Sequence, residues 1–411
     1  MKSRVERRSV LASGAAAALA AALPMPAIAE ASPVKIGLLT VKTGPLAQGG
    51  FQMEQGVGLF LKHRGNKLAG RPAELLIDDT GGNPAGTKTK AQELIERDKV
   101  DMIFGPLAAF ELLAISDYAM QQKCPILSLA AAEDMTQRKP NPYFVRASAT
   151  SAQPMHPLAD YARKELNYAT VITIANDFAF GYEETGGFQR VFEDAGGRVK
   201  NKLWPPLVTP DFTPYIAQMN GVDAVVSGLG GSNPVKFIRQ YKDQGLTIPV
   251  LGGGVAMDDG LLKSFGDEAI GVISSSPYTV DLDTPSNQRF VADSVRDYGG
   301  VPGSYAAGLY CNGMVAEAAL ERTGGRTDDR EALIEAMRSV ALTDTPRGPF
   351  HFDHFGNVVG DIFIRRCEKR DGKLVNTTIK TYKAVSQFWT YDEQWFLSQP
   401  VYSREYPPLK T

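Results

Sequence analysis

The sequence predicts an α/β protein with two doubly wound domains. Between residues 34 and 148, apolar runs of strand length alternate with segments of helical spacing, and this alternation restarts at residue 170. The two arrays have about the same length, and a chain of 411 residues suits two domains. Strands that alternate with helices form parallel sheets covered on both faces, so each array predicts one such domain.

The first array contains four strands and a short strand that leaves the domain. The strands are predicted over residues 34–40, 73–79, 100–104, 125–129 and 143–148, and the helices over residues 51–64, 84–97 and 109–122. Pro84 suits the first position of a helix, where the missing N–H would have no partner in any case.

Small residues follow two neighbouring strands of this array, at Ala108 and Ala109 and again at residues 130–132. A right-handed crossover places both strand ends at one edge of the sheet, where open α/β sheets bind ligands. A helix begins at Ala109, and its positive end favours an anion. This stretch therefore predicts half of a binding cleft.

The second array is followed by helices, two strands and an aromatic tail. Its strands are predicted over residues 170–175, 223–227, 248–251 and 271–276, and its helices over residues 182–195, 234–244 and 258–265. Three helices over residues 286–298, 304–322 and 329–338 precede strands at 361–366 and 377–383. Residues 386–411 are rich in aromatic residues and proline, which predicts an extended strap packed over a domain.

The N-terminus has the pattern of an export signal. A charged segment over residues 2–8 precedes an Ala/Leu-rich run, and an A-x-A cleavage pattern ends at Ala29. The Arg7-Arg8 pair indicates a twin-arginine signal, with an ordinary Sec signal as the alternative. No other apolar run reaches the roughly 20 residues that span a bilayer. We therefore expect a periplasmic protein that is not membrane-embedded and acts as a monomer.

The composition and motifs argue against nucleic-acid binding, metal binding and catalysis. The formal charge is −2, and removing residues 1–29 (four cations, one anion) leaves −5, whereas nucleic-acid binding needs a basic face. Asp281 begins a segment similar to a calcium loop that lacks its glycine and its final glutamate. His351 and Asp353 do not make a zinc set, and a surface hairpin is expected there. No cofactor is expected, and the three cysteines are interpreted as buried apolar residues.

Seven segments in a fixed order resemble the periplasmic solute-binding proteins of ABC importers in the leucine/isoleucine/valine-binding group. They are VKIGLLTVKTGPLAQGG, FGPLAAFELLA with PILSLAAA, YFVRAS, IANDFAFGYEE, GLGGSNPVKFIRQYKDQGL, SYAAGLYCNGMVAEAAL and TPRGPFHFDHFGN. The resemblance covers the whole mature chain. It implies two lobes joined by three crossovers near residues 147–151, 276–281 and 345–348, with the ligand between the lobes. The first lobe would be residues 34–147 plus 281–345, and the second residues 148–280 plus 346–385.

Departures from the amino-acid-binding members indicate a different ligand. Those members hold the ligand carboxylate with hydroxyl residues where this chain has Ala109 and Ala132, and the ammonium with an acidic residue where this chain has glycines 252–254. Phe178 and Phe180 stand where a tyrosine is usual. The resemblance therefore favours the members that bind aromatic acids.

A small aromatic carboxylate, benzoate-like or hydroxycinnamate-like, is the predicted ligand, and the predicted partner is the membrane permease of an ABC importer. The alternatives are a branched-chain amino acid or amide receptor of such an importer, and a periplasmic ligand sensor; an enzyme is not predicted. Lys42 and Arg146 are the nearest candidates for a charged partner, although a structural role is favoured for both. The candidate ligand-binding residues are Ala47, Gln48, Ala108, Ala109, Phe110, Ala130, Ala132, Phe178, Phe180, Gly230, Gly253 and Tyr278.

Overall fold

The computed structural model describes residues 32–130 and 132–410, so the predicted export signal over residues 1–29 lies outside the described residues. The strands are β1 (Val34–Thr40), β2 (Lys67–Leu68), β3 (Arg71–Asp79), β4 (Met102–Phe104), β5 (Ile126–Leu127), β6 (Phe144–Val145), β7 (Thr170–Ala175), β8 (Arg198–Leu203), β9 (Ala224–Gly228), β10 (Val250–Gly252), β11 (Ile273–Ser276), β12 (Ala341–Leu342), β13 (Phe350–Phe352), β14 (Val358–Arg370) and β15 (Lys373–Val385).

The helices lie mostly where helical spacing predicts them. They are α1 (Ala47–His63), α2 (Pro84–Gln92), α3 (Ala109–Gln121), α4 (Ala152–Lys164), α5 (Ala179–Asp194), α6 (Thr213–Ile216), α7 (Asn233–Asp243), α8 (Pro285–Tyr298), α9 (Ser304–Arg322), α10 (Arg330–Arg338) and α11 (Glu393–Ser398). Wider π turns at Glu93–Arg97 extend α2, and 3₁₀ turns occur at Glu133–Thr136, Asp259–Ser264 and Asp267–Ala269.

The strands form two sheets, which confirms the predicted two-lobed α/β fold. The first sheet has the order β2-β3-β1-β4-β5-β6, and we call it, with α1–α3 and α8–α10, the first lobe. The second sheet has the order β12-β13-β14-β11-β10-β9-β7-β8, with β15 beside β14, and forms the second lobe with α4–α7.

Each sheet buries both faces, which explains the continuous apolar runs of its strands. In β1, Ile36 and Leu38 pack into the core shared with α1 and α9, whereas Leu39 packs on the opposite face with residues of α3. Successive side chains of a strand point to opposite faces, so a strand covered on both sides must be apolar throughout. Gly56 lets α1 approach α9 closely, because a Cβ there would lie 2.2 Å from the carbonyl oxygen of Ala306.

The structure corrects several predicted elements. β8 was not predicted from the sequence. Its residues alternate between basic side chains (Arg198, Lys200, Lys202) and the half-buried or buried Val199, Asn201 and Leu203. The predicted helix at 258–265 is a 3₁₀ segment, Asp259–Ser264. The predicted strap over residues 386–411 contains α11, which Asp392 caps by accepting a hydrogen bond from the N–H of Trp395. β12 already pairs in the second sheet, a few residues before the predicted boundary at 345.

Candidate ligand-binding site

A cavity lies between the two lobes at the carboxyl ends of their strands. Its volume is about 90 Å³. The first lobe contributes residues at the starts of α1, α3 and α9, the second lobe contributes the loops after β7, β9 and β10 with part of α5, and the crossovers complete the wall. The lining residues are Leu46, Leu107, Ala108, Ala109, Leu129, Ser148, Ala149, Thr150, Ser151, Pro154, Phe178, Phe180, Glu184, Gly230, Gly231, Gly254, Val255, Pro277, Ser304 and Tyr305.

The lobes touch each other around this cavity. The N–H of Ser232 donates to the carbonyl oxygen of Pro45 at 3.1 Å. Gln52 Nε2 donates to Asp258 Oδ1 at 3.0 Å. Both hydrogen bonds join a residue of one lobe to a residue of the other, so the structure shows the lobes closed on the cavity.

Two phenylalanines at the start of α5 form an aromatic wall. The rings of Phe178 and Phe180 are stacked, with centroids 5.9 Å apart and an angle of 27° between their planes. Phe110 from the first lobe meets Phe178 edge to face, at 5.5 Å between centroids. Aromatic side chains prefer such offset and edge-on arrangements, so this wall presents flat apolar surface to a ligand.

The N-terminus of α3 also lines the cavity, at Ala108 and Ala109. The first N–H groups of a helix have no partner within the helix. The carboxyl group of Glu111 accepts a hydrogen bond from the N–H of Ala108 at 2.9 Å, and burial raises the pKa of this carboxyl. Among the described residues, no acceptor is found for the N–H of Ala109. This N–H and the helix dipole favour a negatively charged ligand group.

Hydroxyl groups of the first crossover add polar groups to the wall. The hydroxyl of Ser148 is buried and has no hydrogen-bond partner among the residues that the structure describes. The hydroxyl of Thr150 accepts from the N–H of Gln153 at 3.1 Å, and that of Ser151 donates to Glu183 Oε2 at 2.6 Å. Of these three crossover hydroxyls, that of Ser148 is therefore the one that remains free for a ligand.

A carboxyl group that sequence reasoning missed also lies in the wall. Glu184 Oε1 accepts a hydrogen bond from the N–H of Gly254 at 2.9 Å, and Oε2 has no partner among the described residues. Glu184 follows Phe180 by four residues in α5, a spacing that places both on one helix face. This spacing could have indicated Glu184 as a site residue. The helix predicted from the sequence begins only at residue 182, however, and so does not include Phe180.

The structure brings five of the predicted residues to the cavity and leaves seven outside its lining. The five are Ala108, Ala109, Phe178, Phe180 and Gly230. Ala47 and Gln48 begin α1, where Gln48 is exposed and Leu46 faces the cavity instead. Phe110 contacts the ring of Phe178 and does not itself line the cavity.

The other four predicted residues are held by the protein itself. The carbonyl oxygens of Ala130 and Ala132 accept hydrogen bonds from Arg146, at 3.0 and 2.7 Å. Gly253 donates its N–H to the carbonyl oxygen of Ser227, and its neighbour Gly254 lines the cavity. Tyr278 is buried and donates its hydroxyl to Asn287 at 3.1 Å, whereas Pro277 lines the cavity. Ala130, Gly253 and Tyr278 are each next to a lining residue in the chain, whereas Ala132 is three residues from Leu129.

Neither candidate cation lines the cavity. Lys42 is exposed, with Nζ 3.3 Å from Glu54 Oε1. Arg146 is fully buried and is surrounded by acceptors from both lobes, including Thr136 at 2.7 Å and Asn357 at 2.9 Å. Its role is to join the first crossover to the loop between β13 and β14.

A pair of buried carboxyl groups joins the lobes beside Arg146. The N–H of Glu133 donates to Glu183 Oε1 at 3.1 Å, and Glu133 Oε1 accepts from the N–H of Ala152 at 3.0 Å. Burial raises the pKa of Glu133 to about 7 and that of Glu183 to about 8, and the Glu133 carboxylate further disfavours ionisation of Glu183.

This pair predicts a loss of stability with rising pH. Because the pKa values in the folded state exceed the ordinary value of 4.5, the folded state binds more protons than the unfolded state between about pH 4.5 and 8. The stabilisation is complete below about pH 4.5 and is lost as the pH rises through the folded pKa values. We expect a fall on the order of a few kcal/mol across this window, and we expect Glu183→Gln to reduce it.

Melting temperatures at pH 5 and pH 8 measure this effect. The difference between the two temperatures should shrink in Glu183→Gln and remain in Glu165→Gln, which alters an exposed glutamate of the same lobe. An unchanged difference in Glu183→Gln would show that the pair does not titrate in this range.

Taken together, the fold and the cavity define a two-lobed receptor that closes on a small solute. The chain belongs to the periplasmic binding protein family, whose pattern it matches over residues 33–373. It is a solute-binding protein of the kind that serves ABC transporters. In the described part of the chain, no helix is both long and apolar enough to cross a membrane.

Three relatives illustrate the range of the family. The Leu/Ile/Val-binding protein homolog 6 of Brucella melitensis is 29% identical over 86% of this chain and 93% of its own length. A solute-binding protein of Rhodopseudomonas palustris BisB5, solved with 3,4-dihydroxybenzoic acid, is 34% identical over 86% of this chain and 98% of its own, with a TM-score of 0.82. Another from R. palustris, solved with 4-hydroxybenzoate, is 30% identical over 87% and 99%, with a TM-score of 0.81.

Proposed function

We propose that this protein is an exported receptor that captures a small aromatic carboxylate, benzoate-like or hydroxycinnamate-like, and delivers it to the permease of an ABC importer. The observation that carries this proposal is the pair of stacked Phe178 and Phe180 rings in a cavity lined mainly by apolar and small residues. A flat ring can lie against such an aromatic wall.

The size of the cavity suits a ligand with one ring. The cavity volume of about 90 Å³ is several times the roughly 10–15 Å³ that one water molecule needs, so the cavity accommodates a molecule of several heavy atoms. This size favours a ligand with a single ring. A hydroxycinnamate, which is longer, requires a small separation of the lobes.

The electrostatics of the cavity support a carboxylate held by dipoles. The lining residues in the described ranges include no lysine or arginine. The N–H of Ala109, the dipole of α3 and the hydroxyl of Ser148 are among the groups that can solvate an anion there. Contacts from both lobes give the ligand a higher affinity for the closed form, which is the condition for ligand-driven closure.

The two Rhodopseudomonas relatives support the same ligand class, because both were solved with hydroxylated benzoic acids. At 30% identity or more over almost their whole length, they share the overall fold with this chain.

A receptor for a branched-chain amino acid is the second candidate, and Glu184 favours it. The sequence argument against an amino acid was that glycines 252–254 leave the ammonium without an acidic partner. The structure corrects this premise, because the carboxyl group of Glu184 reaches Gly254 from α5. An ionised Glu184 could pair with an ammonium, and the Brucella relatives carry the name of Leu/Ile/Val-binding homologues.

A thermal-shift panel on protein freed of bound ligand separates the candidates. We expect benzoate, 4-hydroxybenzoate and 4-hydroxycinnamate to raise the melting temperature and leucine, isoleucine and valine to leave it unchanged. A ligand at 100 times its Kd adds about 2.7 kcal/mol to the free energy of unfolding. Stabilisation by leucine without stabilisation by the aromatic acids would contradict the proposal and favour the second candidate.

A further inference from the structure

One group in the cavity wall has a free hydrogen-bonding position that an unsubstituted benzoate does not use. Glu184 is 1% exposed, and its Oε2 atom has no partner among the described residues, although Oε1 is occupied by the N–H of Gly254. A buried polar atom without a partner costs free energy, so a ligand group that supplies the missing hydrogen bond gains affinity.

The surrounding backbone is shaped around this carboxyl group. A Cβ atom at Gly253 would lie 2.2 Å from Glu184 Oε2, so a larger residue would displace the carboxyl. At Gly254, a Cβ would lie 3.2 Å from Oε1. The consecutive glycines therefore leave the space that Glu184 fills, and the carboxyl and its loop form one built site beside the ring of Phe180.

We propose that Glu184 selects aromatic acids that carry a hydroxyl group on the ring, by a hydrogen bond between Oε2 and that hydroxyl. This inference rests on the proposed function. The ligand carboxylate is placed at the N–H of Ala109 and the hydroxyl of Ser148, because the N-terminal dipole of α3 and an unpaired hydroxyl favour an anion there. The ring then extends along Phe180, and a hydroxyl substituent reaches Glu184.

The protonation of Glu184 agrees with this role. Burial raises the pKa of the carboxyl well above its ordinary value, and the nearby Glu183 raises it further. Tyr305 lines the same cavity, and desolvation raises the pKa of its hydroxyl, with further contributions from Asp258 and Glu184. A neutral carboxyl group at Oε2 donates to, or accepts from, a phenolic hydroxyl without placing an unpaired charge in an apolar cavity.

Calorimetric Kd values for benzoate, 3-hydroxybenzoate and 4-hydroxybenzoate test the inference on ligand-free protein. We expect the wild-type chain to bind the better hydroxybenzoate about tenfold more tightly than benzoate, the effect of one buried hydrogen bond. Glu184→Met removes the carboxyl group at similar length, and we expect the two Kd values to become equal. Glu184→Gln keeps the acceptor for Gly254 and a donor for the hydroxyl oxygen, and should retain most of the preference.

Glu193→Gln is the matched control, since Glu193 lies on the same helix, is buried and does not line the cavity. Its preference should equal that of the wild type.

The inference is overturned if the wild type prefers benzoate or has no preference, a result that does not depend on the folding of any variant. It is also overturned if Glu184→Met keeps the preference, or if leucine binds and Glu184→Gln abolishes that binding. Failure of every aromatic acid would overturn the proposed function itself, whereas tight binding of benzoate without a hydroxyl preference overturns the Glu184 inference alone.

Discussion

Replacing Arg146 by methionine is expected to lower the free energy of unfolding by about 3–5 kcal/mol, the cost of breaking a buried ionic network by removing one partner. Its guanidinium group donates to carbonyl oxygens of Ala130 and Ala132 and to side chains of Thr136 and Asn357. Burial lowers its pKa to about 10, which still leaves it charged near neutral pH. Without it, these acceptors lose their donor.

The loss is larger than the hydrogen bonds alone suggest, because Arg146 also faces acidic groups. Glu183, Glu133 and Asp353 are the charges that stabilise its ionised form. In Arg146→Met, those carboxyl groups lose their buried counter-charge. Urea unfolding followed by circular dichroism measures the difference.

Arg97→Met is the matched control for this variant. The Arg97 side chain is 64% exposed and bonds to Asp98 at the surface, so we expect a change within about 0.5 kcal/mol. Equal unfolding midpoints for Arg146→Met and the wild type would show that the network does not hold the crossover in place.

Filling the cavity is expected to weaken ligand binding by roughly 5- to 150-fold, the range that overpacking by about 1–3 kcal/mol implies. Gly230→Leu introduces the extra volume. A Cβ at Gly230 would lie 3.3 Å from the Phe180 ring and 3.9 Å from Val255, so the side chain begins at the cavity wall. The backbone of Gly230 does not have a positive φ, which makes the substitution compatible with its conformation.

Gly300→Leu is the control for the same substitution in open space. A Cβ at Gly300 meets no heavy atom within 4 Å, and its φ is also not positive. Titration with 4-hydroxybenzoate should give the wild-type Kd for Gly300→Leu and a weakened Kd for Gly230→Leu, with similar melting temperatures of the ligand-free proteins. Wild-type affinity in Gly230→Leu would place the ligand elsewhere.

The fold was predictable because its strands and helices follow simple periodicities. β1 reads as an apolar run because the sheet is covered on both faces, and the helix at Ala109 begins where the spacing predicts it. β8 was missed because its sequence, RVKNKL, lies on the edge of its sheet and keeps Arg198 and Lys200 at exposed positions. An edge strand needs less apolar surface than a central strand, so its pattern is weaker.

The residues of the candidate site that follow strand ends could be predicted from the sequence. The residue that reaches the cavity from within a helix could not. Ala108 and Gly230 follow strand ends, a position that topology alone assigns to the ligand. Glu184 reaches the cavity from within α5, and the space for it is created by glycines some 70 residues later in the chain. No local pattern links these segments. From the sequence, glycines 252–254 indicate that the cleft has no acidic residue, whereas in the structure they leave the space that Glu184 fills.

Ala132 illustrates the opposite error. Its small side chain suggested space for a ligand, but its carbonyl oxygen is turned to Arg146, and the residue is buried in the first-lobe core. A buried arginine needs several acceptors, and backbone carbonyls at a strand end supply them. Arg146 therefore takes the hydrogen-bonding position at Ala132 that the sequence analysis assigned to the ligand.

The most direct measurement is an isothermal titration of ligand-free protein with 4-hydroxybenzoate and, separately, with leucine. The account predicts saturable binding of 4-hydroxybenzoate at one molecule per chain, with a negative heat-capacity change from the buried ring, and no binding of leucine at the same concentrations. Saturable binding of leucine, with no heat from 4-hydroxybenzoate, would contradict the assignment of the cavity to aromatic acids.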